Sequence, residues 1–169
     1  MINKLEKIVG KDSILSNGKE KLRFDHIWKT DISTNAFAVI FPKSTQQISE
    51  IMKLCHYNNQ KVVIQGGLTN LVGSTITKKN DLVISLDKMN QIEEIDEKSR
   101  TITVQSGVIL EDAISSVNEK NLMLPLNFGA KGSAQIGGIV STNAGGLRVL
   151  RFGMTRNLIL GIEAVLSNG

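Results

Sequence analysis

The stretch KVVIQGGLTNLVGS (residues 61–74) places a short apolar run directly before a loop that holds three glycines and an asparagine. The β-branched residues of KVVI predict a short strand. Glycine loses more conformational freedom on folding than any other residue, so its recurrence at a strand end indicates a tight turn or a backbone that closely approaches a ligand. The sequence around this stretch decides between the two.

The residues before this stretch predict a strand–helix–strand unit. AFAVIFP (36–42) is typical of a short buried strand, and Ser44 and Gln47 have the S-x-x-Q spacing that opens a helix. A strand, a helix and a strand within about thirty residues predict a βαβ unit with parallel strands. The apolar residues at helical spacing are Ile48, Ile51, Met52 and Cys55.

The remaining elements follow from periodicity and turn residues. Apolar residues at helical spacing near the N-terminus predict a helix that ends at Gly10, whereas residues 16–31 are polar and irregular, with Trp28 as a local anchor. The later stretches predict a strand at 81–86, an antiparallel hairpin at 91–105, a helix at 108–121 and a final strand at 158–169.

We therefore predict an α+β fold built from two subdomains. Residues 1–30 form an N-terminal helix and lead-in, residues 31–89 form a small parallel βαβ subdomain, and residues 90–169 form a mainly antiparallel subdomain. Asn168-Gly169 is a strong hairpin-turn signal with no returning strand after it. This leads us to expect that the chain is a truncated fragment.

Composition excludes several classes of protein. The hydrophobic fraction of 41% is ordinary for a soluble globular chain, and no run of about 18 apolar residues predicts a transmembrane helix. The net charge of +4 comes from dispersed Lys and Arg, and aromatic residues are few, which argues against a nucleic-acid binder. The single cysteine, Cys55, excludes an internal disulfide and predicts a cytoplasmic protein.

The common catalytic and nucleotide-binding motifs are missing. His26, His56 and Cys55 have no metal-ligand spacing, and Cys55 is expected in the core rather than as a nucleophile. The loop after residue 65 contains no P-loop lysine and no G-x-G-x-x-G, and no long helix follows it. If this loop binds phosphate, consecutive backbone N–H groups must do so, as an anion-binding nest.

A second glycine-rich stretch, FGAKGSAQIGGIVSTNAGGLRVLRFG (128–153), supports the anion-binding interpretation. No acidic residue lies between Glu119 and Glu163. A basic, glycine-rich segment suits a ligand that carries phosphates, although the glycines could instead serve only as turn residues. The basic residues of this segment and its flank are Lys131, Arg148, Arg151 and Arg156.

These stretches also carry a family resemblance. VVIQGGLTNLVGS, GAKGSAQIGG, STNAGGLRVLRFG and LGIEAVLSNG, in this order, resemble FAD-linked oxidases and dehydrogenases of the vanillyl-alcohol oxidase superfamily, which share a PCMH-type FAD-binding domain. The resemblance runs from about residue 31 to residue 169. It is strongest to D-2-hydroxyglutarate dehydrogenases and to the related D-lactate dehydrogenases and glycolate oxidases.

The resemblance implies which residues contact FAD. The first loop is expected to wrap the pyrophosphate through backbone amides, and the second stretch is expected to line the flavin and the rest of the dinucleotide. The residues implied in the first loop are Gln65, Gly66, Gly67, Leu68, Thr69, Asn70, Leu71, Gly73 and Ser74. Those implied in the second are Pro125, Gly129, Ala130, Gly132, Ser133, Gly137, Gly138, Asn143, Ala144 and Gly145.

The chain departs from the family pattern at two positions. Asn70 and Ser74 stand where the family commonly has glycine, and Asn tolerates positive φ better than other non-glycine residues. The loop lacks the histidine that some members bond covalently to the flavin, so noncovalent FAD is expected.

The resemblance also implies an oxidoreductase. In the family, a C-terminal domain that has no counterpart in these 169 residues binds the D-2-hydroxy acid, so no catalytic residue is assigned here. The electron acceptor is unknown. Two alternatives stay open: another flavoenzyme of the superfamily, such as a sugar or alcohol oxidase, or a chain that keeps the fold without flavin and acts as an interaction module.

Overall fold

The structure, a computed structural model, describes residues 1–26 and 33–169. The predicted anchor Trp28 lies outside the described residues. Two compact units are present: one contains Met1–Lys88 and Glu163–Gly169, and the other contains Met89–Ile162. The segment 163–169 thus belongs to the same unit as the N-terminal part of the chain.

The first unit is built around a four-stranded sheet in the order β1-β2-β4-β3. β2, β4 and β3 are mutually parallel, and β1 pairs with β2 in the antiparallel sense. The parallel βαβ unit is therefore confirmed, although β4 lies between its two strands. The elements are α1 (Ile2–Val9), β1 (Ile14–Ser16), β2 (Ala38–Ile40), α2 (Thr45–Tyr57), β3 (Val62–Gln65) and β4 (Leu82–Ser85), with 3-10 turns at Lys11–Ser13 and Lys19–Leu22.

Helix α2 begins as its sequence predicts, with one difference. The Ser44 hydroxyl accepts a hydrogen bond from the Gln47 backbone N–H at 3.2 Å, which satisfies one of the unpaired N–H groups of the first turn. The Gln47 side chain accepts from the backbone N–H of Lys43 at 2.8 Å, one residue before the expected Ser44. The reciprocal bond of the capping box is therefore shifted by one position.

The sheet of the first unit is covered on both faces. Strands β2 and β4 are buried at every residue, which explains why their sequences read as continuous apolar runs rather than alternating ones. The Ile51 and Cys55 side chains of α2 pack on one face, as their helical spacing predicts. The residues of that core are Leu5, Val9, Ala38, Ile40, Ile51, Cys55, Leu82 and Ile84. Ala36, Val39 and Val83 form the core of the opposite face.

The second unit begins with the predicted antiparallel hairpin and continues into short helices. Strands β5 (Ile92–Asp96) and β6 (Thr101–Val104) pair with each other, which confirms the hairpin. Helix α3 (Leu110–Asn118) confirms the predicted helix. Within the second glycine-rich stretch lie α4 (Ile136–Ser141) and α5 (Val149–Phe152), which the sequence did not predict. Leu110, Leu126, Ala134 and Ile139 form the core of this unit.

The predicted final strand at 158–169 is wrong. A 3-10 helix at Thr155–Leu158 is followed by residues that pair with no strand among the described parts of the chain. An extended apolar segment forms a strand only where a neighbouring strand satisfies its backbone. The prediction of a turn at the end is confirmed, since the Gly169 N–H donates to the Leu166 carbonyl at 2.9 Å.

No described helix is both long enough and apolar enough to cross a membrane. This agrees with the sequence, which contains no apolar run of that length.

We predict that Cys55 is an inert core thiol. Its side chain is 1% exposed, and burial raises the pKa of the thiol from 9.0 to about 11. At pH 8 the folded protein should react with a thiol-specific disulfide reagent far more slowly than the denatured protein. Immediate reaction of the folded protein would contradict this assignment.

The same pKa shift predicts a pH dependence of stability. Above pH 9.0 the unfolded chain loses the Cys55 proton while the folded chain keeps it up to about pH 11, so stability falls as pH rises through this window. Urea denaturation of wild type and Cys55→Ala across that window isolates the effect, because other groups titrate equally in both. Parallel pH profiles for the two proteins would contradict the prediction.

Candidate functional site

The first glycine loop starts at the carboxyl end of β3, where Gln65 points into the protein. The Gln65 side chain is 1% exposed, and its Nε2 donates to Asp25 Oδ1 at 3.2 Å and to the Thr75 carbonyl at 3.0 Å. Its Oε1 is buried and accepts no hydrogen bond from the described residues. Gln65 therefore connects the start of the loop to Thr75 at its end, and its Oε1 atom has no hydrogen-bond donor among the described residues.

Asn70 braces the loop from inside. Its Oδ1 accepts from the Ser74 N–H at 3.2 Å, and its Nδ2 donates to the Thr75 hydroxyl at 2.9 Å. Within the loop, only Leu68 (φ 57°) and Gly73 (φ 73°) have positive φ. Asn70 thus replaces the family's usual glycine without using the left-handed conformation, and Ser74 does not need that conformation either.

Five consecutive backbone N–H groups of the loop, at residues 67–71, form no hydrogen bond with any described residue. Residues 67–70 are half-buried, so this backbone is neither free in solvent nor sealed in the core. Buried or half-buried N–H groups require a partner, and successive backbone N–H groups without an internal partner are what an anion-binding nest uses. The loop can hold a phosphate without any cationic side chain.

The second set of implied residues lies in the second unit, around α4. Helix α4 ends in a Schellman motif: Asn143 has φ 48°, its N–H donates to the Val140 carbonyl, and the Ala144 N–H donates to the Ile139 carbonyl at 3.0 Å. The Asn143 Oδ1 accepts from the Arg156 N–H at 3.0 Å. Asn143 and Ala144 therefore stabilise the end of α4, a structural role that the sequence did not indicate.

Four glycines of this segment show two contrasting environments. A Cβ on Gly137 would lie 2.7 Å from the Ser106 Cβ, and a Cβ on Gly146 would overlap the Asn127 carbonyl, so both positions need glycine for internal packing. A Cβ on Gly129 or Gly138 would meet nothing within 4 Å. The backbone at these two positions is open to a ligand.

The charges of the segment are only partly available to a ligand. Lys131 Nζ lies 2.8 Å from Glu111 Oε1, so a carboxylate from α3 neutralises part of the acid-free segment. Within the described residues, Arg148, Arg151 and Arg156 form no ion pair. The segment therefore keeps a positive character that suits an anionic ligand.

The structure adds residues to the first loop that the sequence did not single out. Asp25, Thr75 and Thr77 are buried beneath the loop, and His26 Nε2 donates to the Asn70 carbonyl. The alternation of polar and apolar residues in Thr75–Ile76–Thr77 was the available signal, but it gave no indication of a partner about fifty residues earlier. Among the described residues, no cluster of His, Cys, Asp or Glu could hold a metal ion.

Comparison with known protein families identifies the family of this chain. Residues 36–169 match the model of the FAD binding domain family, and the chain belongs to that family. The prediction of FAD as the cofactor is thereby confirmed. A solved structure of alkyldihydroxyacetonephosphate synthase superposes with a TM-score of 0.88 at 16% identity, covering 99% of this chain and 33% of that one, which confirms the predicted PCMH-type fold.

Curated relatives are longer than this chain. A protein of Schizosaccharomyces pombe, whose name describes a mitochondrial D-lactate dehydrogenase, is 45% identical over 169 residues, covering 96% of this chain and 32% of the relative. The mitochondrial D-2-hydroxyglutarate dehydrogenase of Danio rerio is 40% identical over 142 residues, covering 84% and 27%. The chain thus spans about a third of the relatives it matches.

These relatives correct the predicted location. Both are mitochondrial by name, so the expectation of a cytoplasmic protein is wrong. That expectation rested on a single unpaired cysteine, and a reduced thiol does not distinguish between these compartments.

The residues present fit FAD. The first loop offers unpaired N–H groups of the kind that bind phosphate oxygens, and Gly129 and Gly138 leave space against the backbone. Neither feature is needed for the packing of its own unit.

We predict opposite effects for two alanine substitutions in the glycine-rich segment. Gly146→Ala should destabilise the second unit, because the new Cβ overlaps the Asn127 carbonyl. Gly138→Ala should raise stability by about 0.5–1 kcal/mol, because it removes a glycine from inside α4 and meets no atom. Urea denaturation measures both, and equal effects of the two substitutions would contradict the division of the glycines.

Proposed function

We propose that this chain is the FAD-binding part of a flavin-dependent dehydrogenase that oxidises a D-2-hydroxy acid of the 2-hydroxyglutarate or lactate type. The observation that carries the proposal is the run of N–H groups at 67–71 that form no hydrogen bond with the described part of the chain, in a loop braced by Asn70 and Gln65. The names of the S. pombe and D. rerio relatives support the substrate class.

In this proposal the first loop binds the FAD pyrophosphate through its backbone. Its binding residues are those implied by the resemblance, from Gln65 to Leu71 with Gly73 and Ser74. Hydrogen bonds from N–H groups to phosphate oxygens are charge-assisted and need no side chain, so the missing P-loop lysine is no obstacle. The buried Gln65 Oε1 is an acceptor at the base of the same loop.

In the second unit, Gly129 and Gly138 would let the flavin approach the backbone closely, and Ser133 is a polar residue of the same segment. Gly137, Asn143, Ala144 and Gly145 hold the segment in shape. The three arginines without carboxylate partners add a positive field that favours an anionic cofactor or substrate.

When bound, FAD supplies the acceptor for a hydride from the α-carbon of the hydroxy acid. This chain contributes the binding and shielding of the cofactor. The absence of a covalently linking histidine in the loop leads us to propose noncovalent attachment.

We expect the purified chain to bind FAD, with a rise in melting temperature that depends on FAD concentration. At a hundredfold excess over Kd, the stabilisation amounts to about 2.7 kcal/mol. Acid precipitation should release the flavin into the supernatant. Riboflavin, which lacks the pyrophosphate, is the control and should stabilise the chain much less. A melting temperature that does not change with FAD concentration would overturn the proposal and favour the alternative that the chain is an interaction module without flavin.

Gly67→Val and Gly138→Val should each weaken FAD binding while the fold persists, because a branched side chain blocks the approach of the cofactor to the backbone. Isothermal titration measures the Kd. Gly161→Val is the matched control for Gly138→Val, since a Cβ at either position meets nothing within 4 Å and Gly161 lies outside both loops. Unchanged FAD affinity in both loop variants would contradict the close-approach argument.

A further inference from the structure

Residues 23–26 precede the matched family domain, yet they contact the carboxyl ends of two strands of the first unit. Arg23 forms an ion pair with Asp87 at 3.0 Å and donates to the Ser85 hydroxyl at 3.4 Å, both at the end of β4. His26 donates to the Asn70 carbonyl within the glycine loop. Between them lies Asp25, which is 1% exposed.

Asp25 is surrounded by donors that come from both ends of the loop. Its Oδ2 accepts from the Thr77 N–H at 2.7 Å and from the Thr77 hydroxyl at 2.6 Å, and its Oδ1 accepts from Gln65 Nε2. Because the Thr77 hydroxyl gives its only proton to Asp25, it accepts from the Thr34 hydroxyl at 2.9 Å and from the Asn35 N–H at 2.8 Å. The direction of each bond is therefore fixed.

A second series of bonds connects Asp25 to the interior of the loop. The Thr75 hydroxyl donates to the Asp25 carbonyl at 2.6 Å and accepts from Asn70 Nδ2 at 2.9 Å. Asn70 Oδ1 in turn accepts from the Ser74 N–H. The loop from Gln65 to Ser74 is thus connected to Asp25 directly at Gln65, through Thr75 at Asn70, and through Thr75 and Asn70 at Ser74.

We propose that Asp25 is the positioning residue of the pyrophosphate loop: it fixes the direction of the N–H groups at 67–71 through Gln65, Thr75 and Thr77. This inference rests on the proposed function, because the loop's ligand is the FAD pyrophosphate. The loop supplies no regular backbone hydrogen bonds of its own between residues 67 and 71, so its shape depends on these side chains.

The test compares FAD affinity with loop exchange in the full 169-residue chain. Asp25→Asn replaces one carboxylate oxygen with an NH2 group, which cannot accept the hydrogen bonds that the carboxylate accepts. Thr75→Val removes the hydroxyl while keeping the side-chain shape. Thr75→Ser keeps the hydroxyl and should rescue. Asp81→Asn is the matched control, since the Asp81 side chain is also buried and accepts from the Lys78 N–H, but forms no hydrogen bond with the loop residues 65–74.

We expect Asp25→Asn and Thr75→Val to raise the Kd for FAD about tenfold or more, the effect of losing a buried hydrogen bond to a charged or networked group. Without FAD, exchange of the Ser74 amide hydrogen, which donates to Asn70 Oδ1 within the loop, should accelerate in both variants, while exchange in α2 and β4 stays unchanged. Thr75→Ser and Asp81→Asn should leave loop exchange and Kd near wild type. If Asp25→Asn fails to fold, Thr77→Val tests the same carboxylate, because it removes the hydroxyl that donates to Asp25 Oδ2.

A purely structural role for Asp25 predicts a different pattern: exchange accelerates throughout the unit, and Kd changes no more than in Asp81→Asn. That pattern, or unchanged loop exchange in Thr75→Val, overturns the positioning role. A wild-type chain that binds no FAD overturns the proposed function instead, and loop exchange still decides the role of Asp25 in shaping the loop.

Discussion

The first unit depends on one constraint: the buried carboxylate of Asp25 needs hydrogen-bond donors for its oxygens. Asp25 is almost fully buried, and an unpaired charge in that position would cost several kcal/mol. Its acceptors are met by Thr77, by Gln65 and, through its own carbonyl, by Thr75. Satisfying Asp25 therefore brings together a lead-in segment, a strand end and the residues after the glycine loop.

In the glycine loop, the side chains and the backbone have different roles. Side chains supply the internal hydrogen bonds, through Asn70 and Gln65, and the backbone N–H groups at 67–71 have no partner among the described residues. In a helix or sheet the backbone would bond to itself, so a loop held by side chains is one way to reserve several N–H groups for a ligand. A phosphate-bearing ligand is the natural occupant of such a surface.

Much of the fold could be predicted from the sequence, because the patterns that identify its strands and helices are local. Continuous apolar runs, the Ser44 cap and the 91–105 alternation identified β2, β3, β4, α2 and the hairpin. The final strand could not be predicted correctly, because an apolar pattern does not reveal whether a partner strand lies beside it. Strand β1 has only three residues, and α4 is hidden in a glycine-rich stretch.

The residues of the site stay a prediction, and the structure adds contacts among them that the sequence did not indicate. Asn70 was expected to be tolerated for its backbone conformation, whereas it acts through its side chain and Leu68 takes the positive φ. Several glycines of the second segment were expected to approach a ligand, whereas Gly137 packs against Ser106. Asp25 lies forty residues before Gln65, a separation that no sequence pattern connects.

The central claim, that backbone N–H groups of the first loop bind the FAD pyrophosphate, can be tested by the amide resonances of residues 67–71 in a 15N-labelled chain. Addition of FAD, or of ADP as the pyrophosphate-bearing half, should shift these resonances strongly and slow their exchange with solvent. If the chain binds FAD while these five amides keep their shifts and exchange rates, the loop does not hold the pyrophosphate and the claim fails.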